Sequence, residues 1–250
     1  MFPLMRDAID WPKFHAAFGK AADEGGFVPS VLAELQGGPL IAWDRPGTGP
    51  RVYLSAGIHG DEPAGPLALL ELIRGGFFND PVHWSICPAL NPCGLLAATR
   101  ENYAGVDLNR DYWLRDSEEI IAHAAWFEGR PVPERFISLH EDWESAGFYF
   151  YEINLGEDDP QRARSILRAV EPWFTAEAGP LIDGHVPREA GWIFHEAEAD
   201  VPEGWPEAIF LAKLGCPVSF TFETPSQAAL QQRVEAHAAA VRMACRDLRE

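Results

Sequence analysis

The sequence predicts a three-layer α/β/α fold with a mixed, mainly parallel central sheet, formed as one domain over residues 1–250. Two observations carry this. Apolar runs of strand length alternate along the chain with amphipathic runs of helix length, the pattern of a sheet covered on both faces. Three of the apolar segments also end on residues able to do chemistry, His59, His140 and Glu223. In open α/β sheets the working site lies at the carboxyl ends of the strands.

The elements follow in order. Residues 1–36 are mixed, with a weakly amphipathic helix over about 10–22. PLIAWD (39–44) reads as a strand and RPGTGP (45–50) as a turn. RVYLSAGIHG (51–60) reads as a buried strand that runs into a glycine-flanked histidine. PAGPLALLELIRGG (63–76) follows as a helix, with proline in its first turn and glycines closing it. VHWSICPAL (82–90) is a further strand. Ser117 is expected to cap a helix to about residue 127, with acidic residues in its first turn. RFISLH (135–140) and GFYFYEINL (147–155) read as strands and residues 160–174 as a helix. Residues 179–205 look irregular. PVSFTFE (217–223) is a strand, and the chain is expected to close on one helix from Ser226.

Composition narrows the function. With 47% hydrophobic and 23% charged residues the chain matches a soluble globular enzyme. No run of about 18 apolar residues predicts a membrane span, and the first residues carry no secretory pattern. A net charge of −18 without a basic cluster disfavours nucleic acid and anionic membranes as partners. The four cysteines, Cys87, Cys93, Cys216 and Cys245, show no C-x-x-C spacing, so free thiols in a cytoplasmic protein are expected. No cysteine has a histidine at a motif-like position, which removes a cysteine protease reading.

The pair His59 and Glu62, three residues apart at a strand-to-helix turn, can aim two ligands at one point. Hydrolytic zinc takes three N/O protein donors and keeps a position for water. An H-x-x-E pair is weak by itself, since the sequence repeats it at His195 and Glu198. The second pair lies in the acidic run HEAEAD and reads as solvated surface. The first has better company: Pro and Gly at a helix start, then the block RENYAGVDLNRD (100–111). His140 closes an apolar strand.

Taken together, HGDEPAG, NPCGLLAATRENYAGVDLNRD, SLH and TFETP resemble the zinc metallocarboxypeptidase family of carboxypeptidase A-like enzymes, in order and spacing, over residues 51 to about 225. The related succinylglutamate desuccinylase/aspartoacylase group shares this framework. The resemblance implies one Zn2+ per chain held by His59, Glu62 and His140. It implies Glu223 as general base, Arg100 at the oxyanion, and Asn109 and Arg110 on a substrate carboxylate. Asp107 would accept a hydrogen bond from the other nitrogen of His59.

The activity implied is hydrolysis of an amide next to a free carboxylate, on a small peptide. The alternatives are an N-acyl amino acid deacylase and a non-catalytic peptide- or metal-binding descendant. Only about one helix follows Glu223, where the aspartoacylase-like branch carries a further β-rich domain, and this favours the peptidase-like branch. The chain has no tyrosine after Tyr151, where the carboxypeptidases have a mobile one before the general base. Tyr149, Tyr151 or Trp205 are candidates to stand in for it. Asp61, Glu141, Asp142 and Glu144 are expected to form a solvated rim and supporting partners, with a bias towards cationic substrates as the sharper reading. Trp143, Phe148, Tyr149, Trp192, Phe194 and Trp205 are expected to be core. Oligomeric state is not readable.

Overall fold

The computed structural model describes residues 8–249; the first seven residues of the leading segment lie outside it. Its described strands form one eight-stranded sheet. These are β1 (Val28–Leu35), β2 (Gly38–Arg45), β3 (Arg51–Ala56), β4 (His83–Cys87), β5 (Arg135–Asp142), β6 (Tyr149–Asn154), β7 (Trp192–Phe194) and β8 (Val218–Pro225). The order across the sheet is β1-β2-β4-β3-β5-β8-β6-β7. The central strands β4, β3, β5 and β8 run parallel, while β1, β2 and β6 join antiparallel to their inner neighbours. The predicted mixed, mainly parallel sheet is what the chain forms.

The pleat sorts residues into two layers. On β3, Val52, Leu54 and Ala56 face one helical layer while Tyr53 faces the other; on β5, Ile137 and Leu139 oppose Phe136 in the same way. The larger layer comprises α1 (Trp11–Glu24), α2 (Ala64–Arg74), α5 (Pro160–Val170) and α7 (Leu230–Ala244), with Phe18, Leu72, Ile166 and Val241 in its core. The smaller comprises α4 (Glu118–Phe127) and α6 (Glu207–Lys213), with Ile120, Phe127 and Phe210 against Tyr53 and Phe136. A short α3 (Pro92–Ala97) adds Leu95 to the larger layer's core. No described helix is long and apolar enough to cross a membrane.

Several sequence expectations need correction. Residues 28–35 form β1, a strand missed because it lies at the sheet edge with an exposed, irregular pattern, interrupted by a register shift between Val31 and Ala33. Helices α3 and α6 and strand β7 are too short to show a period. β3 stops at Ala56, because Gly57 takes a left-handed φ of 64° and turns the chain before His59. Ser117 sits at the N-cap of α4 but makes no capping bond; its hydroxyl donates to Asp111 Oδ2 at 2.6 Å. The closing helix starts at Leu230 rather than Ser226 and gives way to a 3₁₀ turn at Arg246–Leu248.

Candidate metal centre

The site is built where β3, β5 and β8 end. On β8 the alternate residues Phe220 and Phe222 pack into the larger helical layer, which turns Ser219, Thr221 and Glu223 to the opposite face. Phe148, just before β6, and Phe150 on it do the same and leave Tyr149, Tyr151 and Ile153 on that face. These residues line a cavity of about 1010 Å³. His140 and Glu223 are direct partners across the β5–β8 ladder.

His59 and Glu62 reach the cavity from the turn after β3. That turn is held by close backbone packing: a Cβ on Gly60 would lie 1.8 Å from the Gly94 carbonyl carbon, so only glycine fits between His59 and Asp61. Asn91 fastens the same region. Its Oδ1 caps α3 through Gly94 N–H at 2.8 Å, and its amide donates to the carbonyls of Ile58 and Arg100, each at 3.3 Å. Sequence reasoning missed Asn91; the sole signal was an N-P-x-G cap next to the motif block.

His59, Glu62 and His140 are brought together and are 2%, 5% and 3% exposed. Glu62 Oε1 lies 2.7 Å from His59 Nδ1, and Oε2 lies 3.1 Å from His140 Nδ1. The other nitrogen of His59, Nε2, lies 3.1 Å from Asp107 Oδ1. If Nε2 carries the proton and donates it to Asp107, the Nδ1 lone pair is available to a cation beside Glu62, in place of Arg100 Nη1, which lies 3.3 Å from it. The residues fit a metal of zinc character: two imidazole nitrogens and a carboxylate converge in a buried place, and Glu62 Oε2 forms no hydrogen bond of regular geometry although His140 Nδ1 lies 3.1 Å away.

Electrostatics agree with a site built for positive charge. Burial works against a charged His59, yet the Glu62 and Asp107 carboxylates outweigh it and raise its pKa to about 9. Burial likewise opposes ionised Glu62, but His59 and His140 hold it well below the ordinary carboxylate range. His140 is pushed down, chiefly by burial. At Glu223, burial and then the charges of Glu62, Asp142 and Asp183 push the carboxyl well above its ordinary range, with Arg100 opposing. A divalent ion next to Glu62 acts in the same sense as Arg100.

Arg100 is anchored by Asp107, whose Oδ2 accepts from Nε at 3.1 Å and Nη2 at 3.0 Å. That leaves Nη1 directed at the donor cluster, 3.6 Å from Glu62 Oε1. Asn109 lies on a 3₁₀ turn, Leu108–Arg110, and its Oδ1 accepts from Glu207 N–H, so the group it can offer a ligand is its amide N–H. Arg110 is exposed, lines the cavity and donates from Nη1 to the Asn109 carbonyl.

Other expectations shift. Glu141 is not on a solvated rim: it is buried against Arg233 and accepts from Ala64 N–H at the start of α2. Burial raises its pKa to about 7, with Arg233 opposing. Asp142 accepts from the Tyr149 hydroxyl at 3.0 Å. Tyr149 and Tyr151 both line the cavity, whereas Trp205 packs on Trp113 beside it. Trp143 is 71% exposed and Phe194 38%, so neither is core. His195, expected on a solvated surface, lines the cavity together with His185, Asp183 and Asp200. All four cysteines are free thiols.

Comparison with known proteins fits this geometry. Residues 48–126 match the succinylglutamate desuccinylase/aspartoacylase catalytic domain. Over 122 residues the chain is 40% identical to carboxypeptidase SOL1 of Arabidopsis thaliana, a match that covers 41% of this chain and only 24% of that protein. A protein of Shewanella amazonensis, provisionally assigned as a metallopeptidase, superposes with a TM-score of 0.83 at 26% identity over 96% of this chain and 94% of its own. A metallo-carboxypeptidase of Burkholderia cenocepacia gives 0.66 at 17% identity, over 92% and 67%, a likeness of fold alone. Fold and similarities together show a likeness to both the metallo-carboxypeptidases and the succinylglutamate desuccinylase/aspartoacylase group.

Proposed function

We propose that this chain hydrolyses an amide bond next to a free carboxylate, as a zinc-dependent carboxypeptidase-like enzyme acting on small peptides. The observation that carries the reading is the convergence of His59, Glu62 and His140 on one point, with Glu223 beside His140 on the same cavity wall. Zinc bound there supplies Lewis acidity for the carbonyl and acidifies a water.

The remaining work falls to the chain's own groups. Glu223 takes the proton of the attacking water and returns it to the leaving amine, which requires a carboxylate at the start of the cycle. Its elevated pKa favours holding that proton between the two steps. Arg100, steadied by Asp107, offers Nη1 to the negative charge that develops on the carbonyl oxygen. Asn109 and Arg110 bind the substrate's carboxylate, Asn109 through its amide N–H and Arg110 through its guanidinium fork. Asp107 fixes the His59 tautomer.

A second reading, an N-acyl amino acid deacylase, is supported by the match over residues 48–126, which contains His59, Glu62, Arg100, Asn109 and Arg110. A substrate panel of dipeptides, longer peptides, muropeptides and N-acyl amino acids separates the two. Glu223→Gln should lower kcat on the order of 10²–10⁴-fold while zinc stays bound. A variant that retains full turnover on every substrate in the panel overturns the assignment of the base.

A further inference from the structure

The cavity carries a second group of metal-type donors that the proposed reaction does not use. His185, His195 and Asp200 each offer a ligand atom, and these atoms all lie within 4.8 Å of one another. We propose that they form a second site for a zinc-class divalent cation, on the wall of the same cavity and independent of His59, Glu62 and His140.

Backbone structure sets the two histidines. Ile182 and His185 exchange both backbone hydrogen bonds at 2.9 Å, with Asp183 at φ 46° and Gly184 at φ 77° between them. Two consecutive left-handed residues of Asp-Gly type make a tight primed turn, which holds His185 at its foot. His195 follows the edge strand β7, and its N–H donates to the Glu152 carbonyl on β6 at 2.8 Å. The imidazoles meet with centroids 5.1 Å apart, and Tyr151 packs edge-on against both rings. The Tyr151 hydroxyl donates to Asp183 at 2.5 Å, so this wall is itself braced.

Donor spacing suits the ion. His185 Nε2 lies 3.4 Å from Asp200 Oδ2, and His195 Nε2 lies 3.8 Å from Oδ1. Ligands at about 2.0–2.1 Å around tetrahedral zinc stand roughly 3.3 Å apart. Two imidazoles and one carboxylate select zinc-like ions over magnesium or calcium, which take oxygen.

The tautomer of His195 sharpens the case. Its Nδ1 lies against the Glu196 carbonyl, which only accepts, so Nδ1 carries the hydrogen. The neutral ring then turns the Nε2 lone pair towards the Asp200 carboxylate. Two acceptors facing each other across 3.8 Å leave a place that a metal ion can fill in competition with a proton or water. The backbone carbonyl behind Nδ1 is also the usual brace of a metal-binding histidine.

The test is cobalt(II) chloride titrated into the full chain after chelator treatment, read by metal analysis and by the visible absorption of cobalt in a tetrahedral N/O site. Two equivalents per chain are expected. Asp200→Asn, at a side chain 69% exposed, leaves the fold intact and should weaken the second equivalent by at least about tenfold. His185→Ala with His195→Ala should retain one equivalent, and so should His59→Ala. A His59→Ala chain that binds one equivalent, lost on adding Asp200→Asn, supports this site whatever becomes of the proposed hydrolysis. Binding of one equivalent by the wild type, unchanged by Asp200→Asn and lost with His59→Ala, means that His195 merely carries a proton, and overturns the proposal.

Discussion

Two clusters of the same donor types, two histidines and a carboxylate, face one cavity in contrasting surroundings. His59, Glu62 and His140 sit at the ends of central parallel strands and are at most 5% exposed. His185, His195 and Asp200 sit on a turn, an edge strand and a loop, with side chains 25%, 16% and 69% exposed. The first group is ordered by the fold, so its positions are set before any ligand arrives. The second relies on local turns and on Tyr151, and its carboxylate is solvated. In the first, Glu62 and Asp107 raise His59, and His59 and His140 lower Glu62, in both cases against burial, so that they face each other as charges; such a pair is costly to form and costly to break.

Substitutions can break this contrast, beginning with the largest effect. Glu62→Ala removes the carboxylate between two buried imidazoles, and metal content at that site and hydrolysis should both fall to background. Metal analysis with activity on the best panel substrate checks this, and full occupancy would refute the contrast. Next is Arg233→Ala, which strands the buried Glu141 carboxylate behind His140 without its partner. Loss of one member of a buried pair costs about 3–5 kcal/mol, measurable by urea denaturation.

A smaller effect is a pH dependence beneath the first site. Glu207 accepts from Ser55 at 2.6 Å and Tyr53 at 3.0 Å, and burial raises its pKa from 4.5 to about 8 despite those bonds. The folded chain therefore holds this proton where the unfolded chain has released it. The stability Glu207 contributes is full below pH 4.5 and is lost as pH rises through about 8. His123, pushed by burial from 6.5 to about 3, works in the opposite direction, losing its contribution as pH falls from 6.5 through 3. Glu207→Gln should flatten the alkaline decline in urea midpoints and leave the acid limb. The smallest effect belongs to the second cluster: Asp200→Ala should change stability by no more than about 0.5 kcal/mol. A larger loss would mean that this region is as tightly built as the first.

The sheet core was legible because its signal is local. β3, β5 and β8 are apolar runs that stop on polar residues, and α2 and α5 carry proline starts and a regular period. Edge elements were not: β1 alternates poorly because its outer face meets solvent, and β7 has three residues. In the site, His59, Glu62, His140 and Glu223 were nameable from ordered motifs. Asn91 was not, because its work is to tie two carbonyls 42 residues apart in sequence, at Ile58 and Arg100, to one amide.

His195 shows the limit most clearly. In sequence it opens the acidic, surface-like run HEAEAD, and the apolar stretch Trp192–Phe194 before it is too short to mark it as a strand end. Its neighbour His185 is ten residues away, and Tyr151 lies on another strand. What decided its place was the parallel pairing of β7 with β6, which carries it to the cavity on which β8 presents Glu223. The sequence by itself determined which residue types sit at strand ends, since hydrophobic period and chain direction are local properties. Only the tertiary structure decided which ends adjoin, because strand order is set by packing of both sheet faces and by crossovers that no local pattern encodes.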